Sequence, residues 1–347
     1  MLGKRGVWIG IACLAISITV VWLWHSKRTA RSRYERLVEL GAIARRDKWG
    51  HVKQINLWPK DVAAEELDLL TRLPHLRLLN LHDTNTTDAD FQYIVRISSL
   101  EELILAGTRI TDNGLPHLAA LENLQRVSLT PSAVTSAGVH RLSQARPDLQ
   151  IVVNPLELCG LGHLRKYGAH GALDDKFRLI ALDLNGTSVT NDDLRPVASC
   201  RLLRMINLSG TRIDDAGLDH LRSLDSVREL WLTGTAVTDD GLEKLAGMVQ
   251  LRAVSLSRTR VTDVGMAHLK ALPELEIVHL GETDVGDGGL RHLLGLRRLK
   301  EVYVTQTRAT KDGAAELANA IPSLQVFGAS ESEPAKQAEE IESYVLG

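Results

Sequence analysis

The chain carries a short pattern of apolar and polar positions that returns along most of its length. In one copy, Leu230 and Leu232 alternate with Glu229, Trp231 and Thr233. A period of two predicts a short strand that buries one of its faces. The same copy continues with apolar residues at helical spacing, namely Leu242, Leu245 and Met248. These positions predict a helix that covers the strand.

The pattern has a period of 24 residues. It can be counted on a threonine or serine shortly after each strand: Thr84, Thr108 and Ser132, and then Thr187, Thr211, Thr235, Thr259, Thr283 and Thr307. A period in the twenties is the signature of a solenoid in which each repeat forms one coil. One strand and one antiparallel helix per coil predict an α/β fold, with a parallel β-sheet on the concave face and helices outside.

A segment that resembles a cap occurs twice in the chain, at a constant offset of 127 residues. Residues 34–57 match residues 161–184, and the matched positions include Leu37 with Leu164, Gly41 with Gly168 and Asp47 with Asp174. Strand starts follow each cap in steps of 24, and the last step lengthens to 25, at Leu149 and at Leu324. Two starts and two ends predict two separate arrays of repeats.

The predicted organisation of the folded part follows from these boundaries. The first array occupies residues 34–154, with a cap, four repeats and a closing strand. A joint at 155–160 leads to the second array at 161–330, with a cap, six repeats and a closing strand. An acidic tail at 331–347 follows, to which we assign no function.

Two further positions in each repeat have an expected structural role. Acidic pairs such as Asp214-Asp215 and Asp239-Asp240 stand where each helix starts, and we expect their carboxylates to cap free N–H groups there. A glycine such as Gly241 follows at a fixed place, where a side chain is expected to hinder packing of the helix against the sheet.

The repeat resembles a known family. Its head has the form L-x-x-L-x-L, and a T-D-x-G-L segment follows, as in Thr238 to Leu242. Over roughly residues 50–330 this plan resembles the leucine-rich repeat family. The units with helices are similar to the ribonuclease-inhibitor-like class, and the T-D-x-G-L form is similar to the repeats of bacterial proteins. The resemblance implies a scaffold for binding, without naming a partner.

An apolar run precedes the repeats. Residues 7–24 contain no charge, and a helix of that length covers about 27 Å, enough to cross a bilayer. We predict an uncleaved single-pass anchor between a short tail at 1–6 and a basic segment at 25–33. A cleaved signal peptide is the alternative, although no small-x-small cleavage site follows the run. The basic residues after the span favour a cytoplasmic side for the repeats, whereas the short basic start also suits export.

Charge and chemistry narrow the class of function. Residues 1–36 carry seven Lys or Arg and one Glu, a net charge of +6, which leaves 34 basic and 42 acidic residues, or −8, for the remainder. An acidic repeat region argues against a nucleic-acid partner. Three cysteines form no disulfide framework, and the regular repeats show no catalytic set, metal site or cofactor motif. We therefore expect no enzyme activity, no metal and no cofactor.

The positions that the repeat leaves free carry the candidate site. On the exposed face of the second array, the central strand positions include Asp183, Asn207, Trp231, His279 and Tyr303, and Met205 and Glu229 flank them. Exposed aromatic residues in a chain that is only 4% aromatic are typical of a recognition surface. The alternative is that single aromatic residues decorate a solvated sheet.

These observations predict a membrane-anchored protein that binds another protein or a peptide through the concave face of its solenoid. The alternative function is an envelope-structural or glycan-binding spacer, for which mutation of Trp231 and Tyr303 would have no effect.

Overall fold

The computed structural model describes residue 35 and residues 37–39, 41–58 and 61–331. The predicted anchor at 7–24, its flanking segments at 1–6 and 25–33, and the tail from residue 332 lie outside the described residues. Within the described part, the helices are all too short or too polar to cross a membrane. The chain divides into two compact units between Leu158 and Cys159.

The first unit contains a six-stranded sheet in sequence order. Its strands are β1 (Ile43–Arg46), β2 (Val52–Asn56), β3 (Leu78–Asn80), β4 (Glu102–Ile104), β5 (Arg126–Ser128) and β6 (Gln150–Val152). β1 and β2 pair antiparallel, and every later pair is parallel. The α-helices are α1 (Ala64–Leu70), α2 (Phe91–Ile94), α3 (Ser136–Ala145) and α4 (Pro155–Leu158), with 3-10 helices at Asp88–Asp90 and Leu115–Ala120.

The second unit repeats this plan with eight strands. They are β7 (His170–Leu173), β8 (Leu179–Asp183), β9 (Met205–Asn207), β10 (Glu229–Trp231), β11 (Ala253–Ser255), β12 (Ile277–His279), β13 (Glu301–Tyr303) and β14 (Gln325–Phe327). β7 and β8 pair antiparallel, and the remaining pairs are parallel. The long parallel sheets confirm the predicted α/β solenoid class.

The helices of the second unit are shorter than the pattern suggested. The α-helices are α5 (Asp215–Asp219), α6 (Asp239–Glu243), α7 (Asp263–Met266), α8 (Asp287–Arg291) and α9 (Lys311–Ala320), and the 3-10 helices are Gly162–Tyr167, Asn191–Ser199, Lys244–Gly247 and Ala267–Ala271. Most coils thus contain about one α-helical turn, and in two of them it continues directly as a 3-10 helix. Leu242, Leu245 and Met248, three residues apart, are all fully buried, which suits the three-residue period of the 3-10 form.

The core is a stack of aliphatic side chains. In the coil of β10, Leu230 and Leu232 of the strand and Leu242 and Leu245 of the helical side are all fully buried. The threonine that marks the period bonds to the strand before it, because Thr235 Oγ1 donates to the carbonyl oxygen of Leu232 at 2.7 Å. The buried hydroxyl of Thr235 is thereby satisfied within its own coil.

The acidic pairs have two roles rather than the single expected one. Asp214 Oδ1 accepts from the backbone N–H of Ala216 at 2.9 Å and so caps α5, as predicted. Its neighbour Asp215 reaches the next repeat, where Oδ1 and Oδ2 accept from the backbone N–H and hydroxyl of Thr238 at 2.9 and 2.6 Å. Asp215 therefore joins two coils.

The fixed glycine has a different cause from the one expected. A Cβ added to Gly241 would lie 2.2 Å from Asp215 Oδ1 and 3.0 Å from a methyl carbon of Val237. The glycine therefore leaves room for the carboxylate of the preceding repeat, and the distance between helix and sheet is not the main restriction.

Candidate binding surface

One exposed column of side chains runs across the sheet of the second unit. The strand register places Asn207, Trp231 and Ser255 side by side on β9, β10 and β11. The same register continues through His279, Tyr303 and Phe327 on β12, β13 and β14. Neighbouring strands in a sheet are about 4.8 Å apart, so each side chain in the column can contact the next.

Four aromatic side chains of this column form a continuous row. The ring centroids of Trp231 and His279 are 5.7 Å apart, those of His279 and Tyr303 are 4.4 Å apart, and those of Tyr303 and Phe327 are 4.9 Å apart. The last two pairs are stacked, with interplanar angles of 8° and 18°. We call Trp231, His279, Tyr303 and Phe327 the aromatic row.

Ser255 allows the row to cross β11 without an aromatic residue on that strand. Trp231 and His279 lie two strands apart, yet their rings are in contact distance. Ser255 between them is only 3% exposed, and its Oγ lies 2.6 Å from Thr233 Oγ1. A small residue with a satisfied hydroxyl lets the indole and the imidazole lean towards each other above it.

The surroundings of His279 and Tyr303 keep both side chains uncharged. Burial lowers the pKa of His279, and the nearby carboxylate of Glu301 opposes this shift in pKa. The hydroxyl of Tyr303 donates to Glu301 Oε2 at 2.8 Å, and this bond raises the pKa of the phenol. Both rings are therefore uncharged near neutral pH and present apolar faces beside the carboxylate of Glu301.

The other predicted site residues lie around the row. Asn207 is next to Trp231 in the register, but its Oδ1 accepts from the backbone N–H of Ser209 at 3.1 Å. Asp183 Oδ1 accepts from the backbone N–H of Asn185 at 3.0 Å in the same way. Met205 and Glu229 pair at the start of β9 and β10, on the flank of the column. The structure thus brings Trp231, His279 and Tyr303 into one row. It places Asn207 beside the row, Asp183 one strand further away, and Met205 and Glu229 on the flank.

Phe327 is the member of the row that sequence reasoning missed. The apolar position that marks strand starts moves by one residue in the closing strand, from Leu299 to Leu324, but the backbone register stays at 24, so Tyr303 pairs with Phe327. Phe327 is 39% exposed. Counting 24 residues from Tyr303 would have found it.

The first unit offers a weaker aromatic pair. Trp58 follows β2 and stacks on His82, with ring centroids 6.3 Å apart. Its indole N–H donates to Asp83 Oδ2 at 3.3 Å. Trp58 is 44% exposed but belongs to a pair rather than to a row across several strands.

A metal site needs several His, Cys, Asp or Glu side chains close together. Residues 35–331, excluding those that the structure does not describe, contain no group of three or more His, Cys, Asp or Glu side chains able to hold a metal ion.

Two stretches of the chain match a known family model. Residues 97–119 and 226–246 match the family model described as Leucine Rich repeat. These two stretches have the pattern of leucine-rich repeats. A comparison with curated proteins found no match.

Several solved structures are similar to this chain in part. An internalin from Listeria monocytogenes has 16% identity and a TM-score of 0.36, over 79% of this chain and 85% of that chain. A leucine-rich-repeat protein from Leptospira interrogans has 14% identity and a TM-score of 0.36, over 75% of this chain and 62% of that one. A plant peptide hormone receptor, solved in complex with RGF2, has 11% identity and a TM-score of 0.32, over 78% of this chain and 49% of that one.

Proposed function

We propose that this leucine-rich-repeat protein is anchored in a membrane through residues 7–24 and binds another protein or a peptide through the exposed face of its second sheet. The observation that carries the proposal is the aromatic row, in which the rings of Trp231, His279, Tyr303 and Phe327 follow one another across five strands. Assignment to the ribonuclease-inhibitor-like class and to a bacterial membrane, with the repeats on the cytoplasmic side, belongs to the same proposal.

The row has the physical properties of a binding surface for protein. Aromatic residues contribute large apolar areas at low entropic cost and are enriched among the residues that dominate binding energy. Mutual stacking already fixes the rings, so a partner loses little of its binding energy in ordering them. Glu301 and Thr233 at its edges can add polar contacts. Solenoids commonly bind partners on the extended surface that their sheet forms.

Site-specific photo-crosslinking on the full chain in its membrane tests the location of the site. A benzophenone amino acid placed at Asn207, beside the row, should give a covalent adduct with one partner. The same group at Glu243, an exposed residue of α6, should give none. Adducts of equal yield at both positions would contradict a site on the sheet.

Mutation then tests the contribution of the rings. Trp231→Ala combined with Tyr303→Ala should weaken binding of the crosslinked partner at least tenfold, because each ring is expected to contribute about 1–2 kcal/mol or more. Trp58→Ala removes an exposed tryptophan from the first unit and should leave binding unchanged. If the double variant binds as the wild type does, and the wild type instead binds isolated cell wall, the spacer function is favoured.

A further inference from the structure

Arg204 and Arg228 stand at a second position on the second unit, at the amino-terminal edge of its parallel sheet. Each arginine lies one residue before its strand, β9 or β10. The backbone N–H of Arg228 donates to the carbonyl oxygen of Arg204 at 2.8 Å, so the two residues are direct neighbours in the ladder. Both are exposed, and with Arg178 they line a cavity of about 120 Å³.

The cavity has an excess of positive charge. Asp174 is the only carboxylate among its described lining residues, which also include Ser226 and Gln250. Asp174 Oδ2 accepts from Nε and Nη2 of Arg178 at 2.8 and 2.6 Å, and Oδ1 accepts from two backbone N–H groups of the β7–β8 turn. Arg178 holds the pKa of Asp174 at about 2. This carboxylate is therefore committed to Arg178.

Arg204 and Arg228 have no such partner. In the part of the chain that the structure describes, neither guanidinium has a carboxylate within ion-pair distance. Like charges opposite each other on adjacent strands destabilise a sheet. The two arginines therefore form a pair that a bound anion would stabilise.

In the first unit, the arginine at the same position is neutralised by a carboxylate of the protein itself. At the offset of 127 residues, Arg204 corresponds to Arg77 and Arg228 corresponds to Glu101. Arg77 Nη1 lies 3.1 Å from Glu101 Oε1. The fold thus accepts an ion pair here, and the second unit has an arginine in place of the acid.

The charges at the same position before the next strands of the second unit are also paired with opposite charges. Arg252, Glu276 and Lys300 occupy the same position before β11, β12 and β13. Glu276 lies 3.9 Å from Arg252 and 2.5 Å from Lys300. Arg204 and Arg228 are therefore an exception within their own column of the sheet.

We propose that the cavity between Arg178, Arg204 and Arg228 binds an oxyanion, either a free phosphate or a carboxylate carried by a peptide. Guanidinium groups bind both kinds of oxyanion through paired N–H donors, and Ser226 and Gln250 can supply further donors. The volume suits the anionic group itself. This site is separate from the aromatic row, and its existence does not depend on the function proposed for that row.

The test uses the full chain in a non-ionic detergent. Its thermal unfolding midpoint is measured against increasing sodium phosphate, with sodium chloride at equal ionic strength as reference, and separately against an acetylated hexaglutamate peptide. A ligand that binds the folded state raises the midpoint in a saturable way. General salting effects of phosphate lack that saturation and are shared by all variants.

The variants are chosen from the comparison between the units. Arg228→Glu restores the arrangement of Arg77 and Glu101, so it should fold and should weaken the apparent Kd at least tenfold. Arg204→Gln removes one guanidinium without adding a charge, and it should weaken binding too. Arg222→Glu makes the same charge change as Arg228→Glu at an exposed residue between α5 and β10, and it should bind as the wild type does.

Each outcome decides the proposal. A saturable response of the wild type to phosphate, or to the peptide alone, that Arg204→Gln and Arg228→Glu both weaken supports the site and identifies the source of the anion. No saturable response to either probe overturns it. An equal response in Arg204→Gln and in the wild type also overturns the proposal. Neither result affects the crosslinking and binding tests of the aromatic row.

Discussion

Asp239 in one repeat binds Thr262 in the next repeat through both of its carboxylate oxygens. Oδ1 accepts from the backbone N–H of Thr262 at 2.8 Å, and Oδ2 accepts from its hydroxyl at 2.7 Å. The same contact recurs between Asp88 and Thr111, Asp112 and Thr135, Asp215 and Thr238, and Asp287 and Thr310. Stability in a solenoid depends on such interfaces between neighbouring repeats, because each repeat contacts only its neighbours.

Removal of this carboxylate should destabilise the second unit. Asp239→Ala leaves the N–H and hydroxyl of Thr262 without their acceptor, and we expect the free energy of unfolding to fall by about 2–3 kcal/mol. Urea unfolding followed by circular dichroism measures the change. Asp240→Ala, at the exposed neighbouring acid, is the control and should stay within about 0.5 kcal/mol of the wild type. Equal losses in both variants would contradict a special role for Asp239.

The glycine that faces this carboxylate gives a second prediction. A Cβ on Gly265 would lie 2.3 Å from Asp239 Oδ1 and 3.0 Å from Asp239 Cα. Gly265→Ala should therefore cost about 1–3 kcal/mol, as overpacking does in other cores. At Gly295 an added Cβ meets nothing within 4 Å, so Gly295→Ala is the matched control. Chemical denaturation of the two variants should show a lower midpoint only for Gly265→Ala.

The two effects should be coupled rather than additive. In an Asp239→Ala background the closest clashing atom, Oδ1, is absent, and only the 3.0 Å approach to Cα remains for the methyl group of Gly265→Ala. We expect the double variant to lose less stability than the sum of the single variants by at least about 0.5 kcal/mol. A double-mutant cycle measures this difference, and strict additivity would show that the glycine is required for another reason.

The sequence predicted the strands well because the pattern that forms them is local. Alternation around Leu230 and Leu232 and the period of 24 residues specify a short strand and its parallel neighbour without any long-range information. The helical side was predicted less well. Leu242, Leu245 and Met248 are three residues apart, a spacing that an α-helix and a 3-10 helix share, so the residues alone do not decide between them.

Side-chain partners in other repeats were the harder part. Nothing in the composition of Asp239-Asp240 says that the first carboxylate binds Thr262, although the constant spacing of 23 residues between such acids and threonines was visible. The excess of positive charge at Arg204 and Arg228 can be recognised only from the strand register, because the two residues become neighbours only when β9 and β10 pair. For the aromatic row, the strand register shows that Phe327 lies beside Tyr303, and the distances between ring centroids show which rings are in contact.

His279 makes the stability of the second unit dependent on pH. Burial lowers its pKa below the ordinary value of 6.5, with Glu301 opposing the shift. In the unfolded chain the imidazole of His279 regains the ordinary pKa. Between pH 6.5 and the lower pKa of the folded state, the unfolded chain therefore binds more protons than the native state does. The free energy of unfolding consequently falls as the pH drops through that window. We expect His279→Gln to lose less stability than the wild type between about pH 7.5 and pH 5.5, as measured by urea midpoints. His170→Gln, at an exposed histidine of β7, should keep the wild-type dependence, and the same dependence in His279→Gln would show that this imidazole does not titrate as inferred.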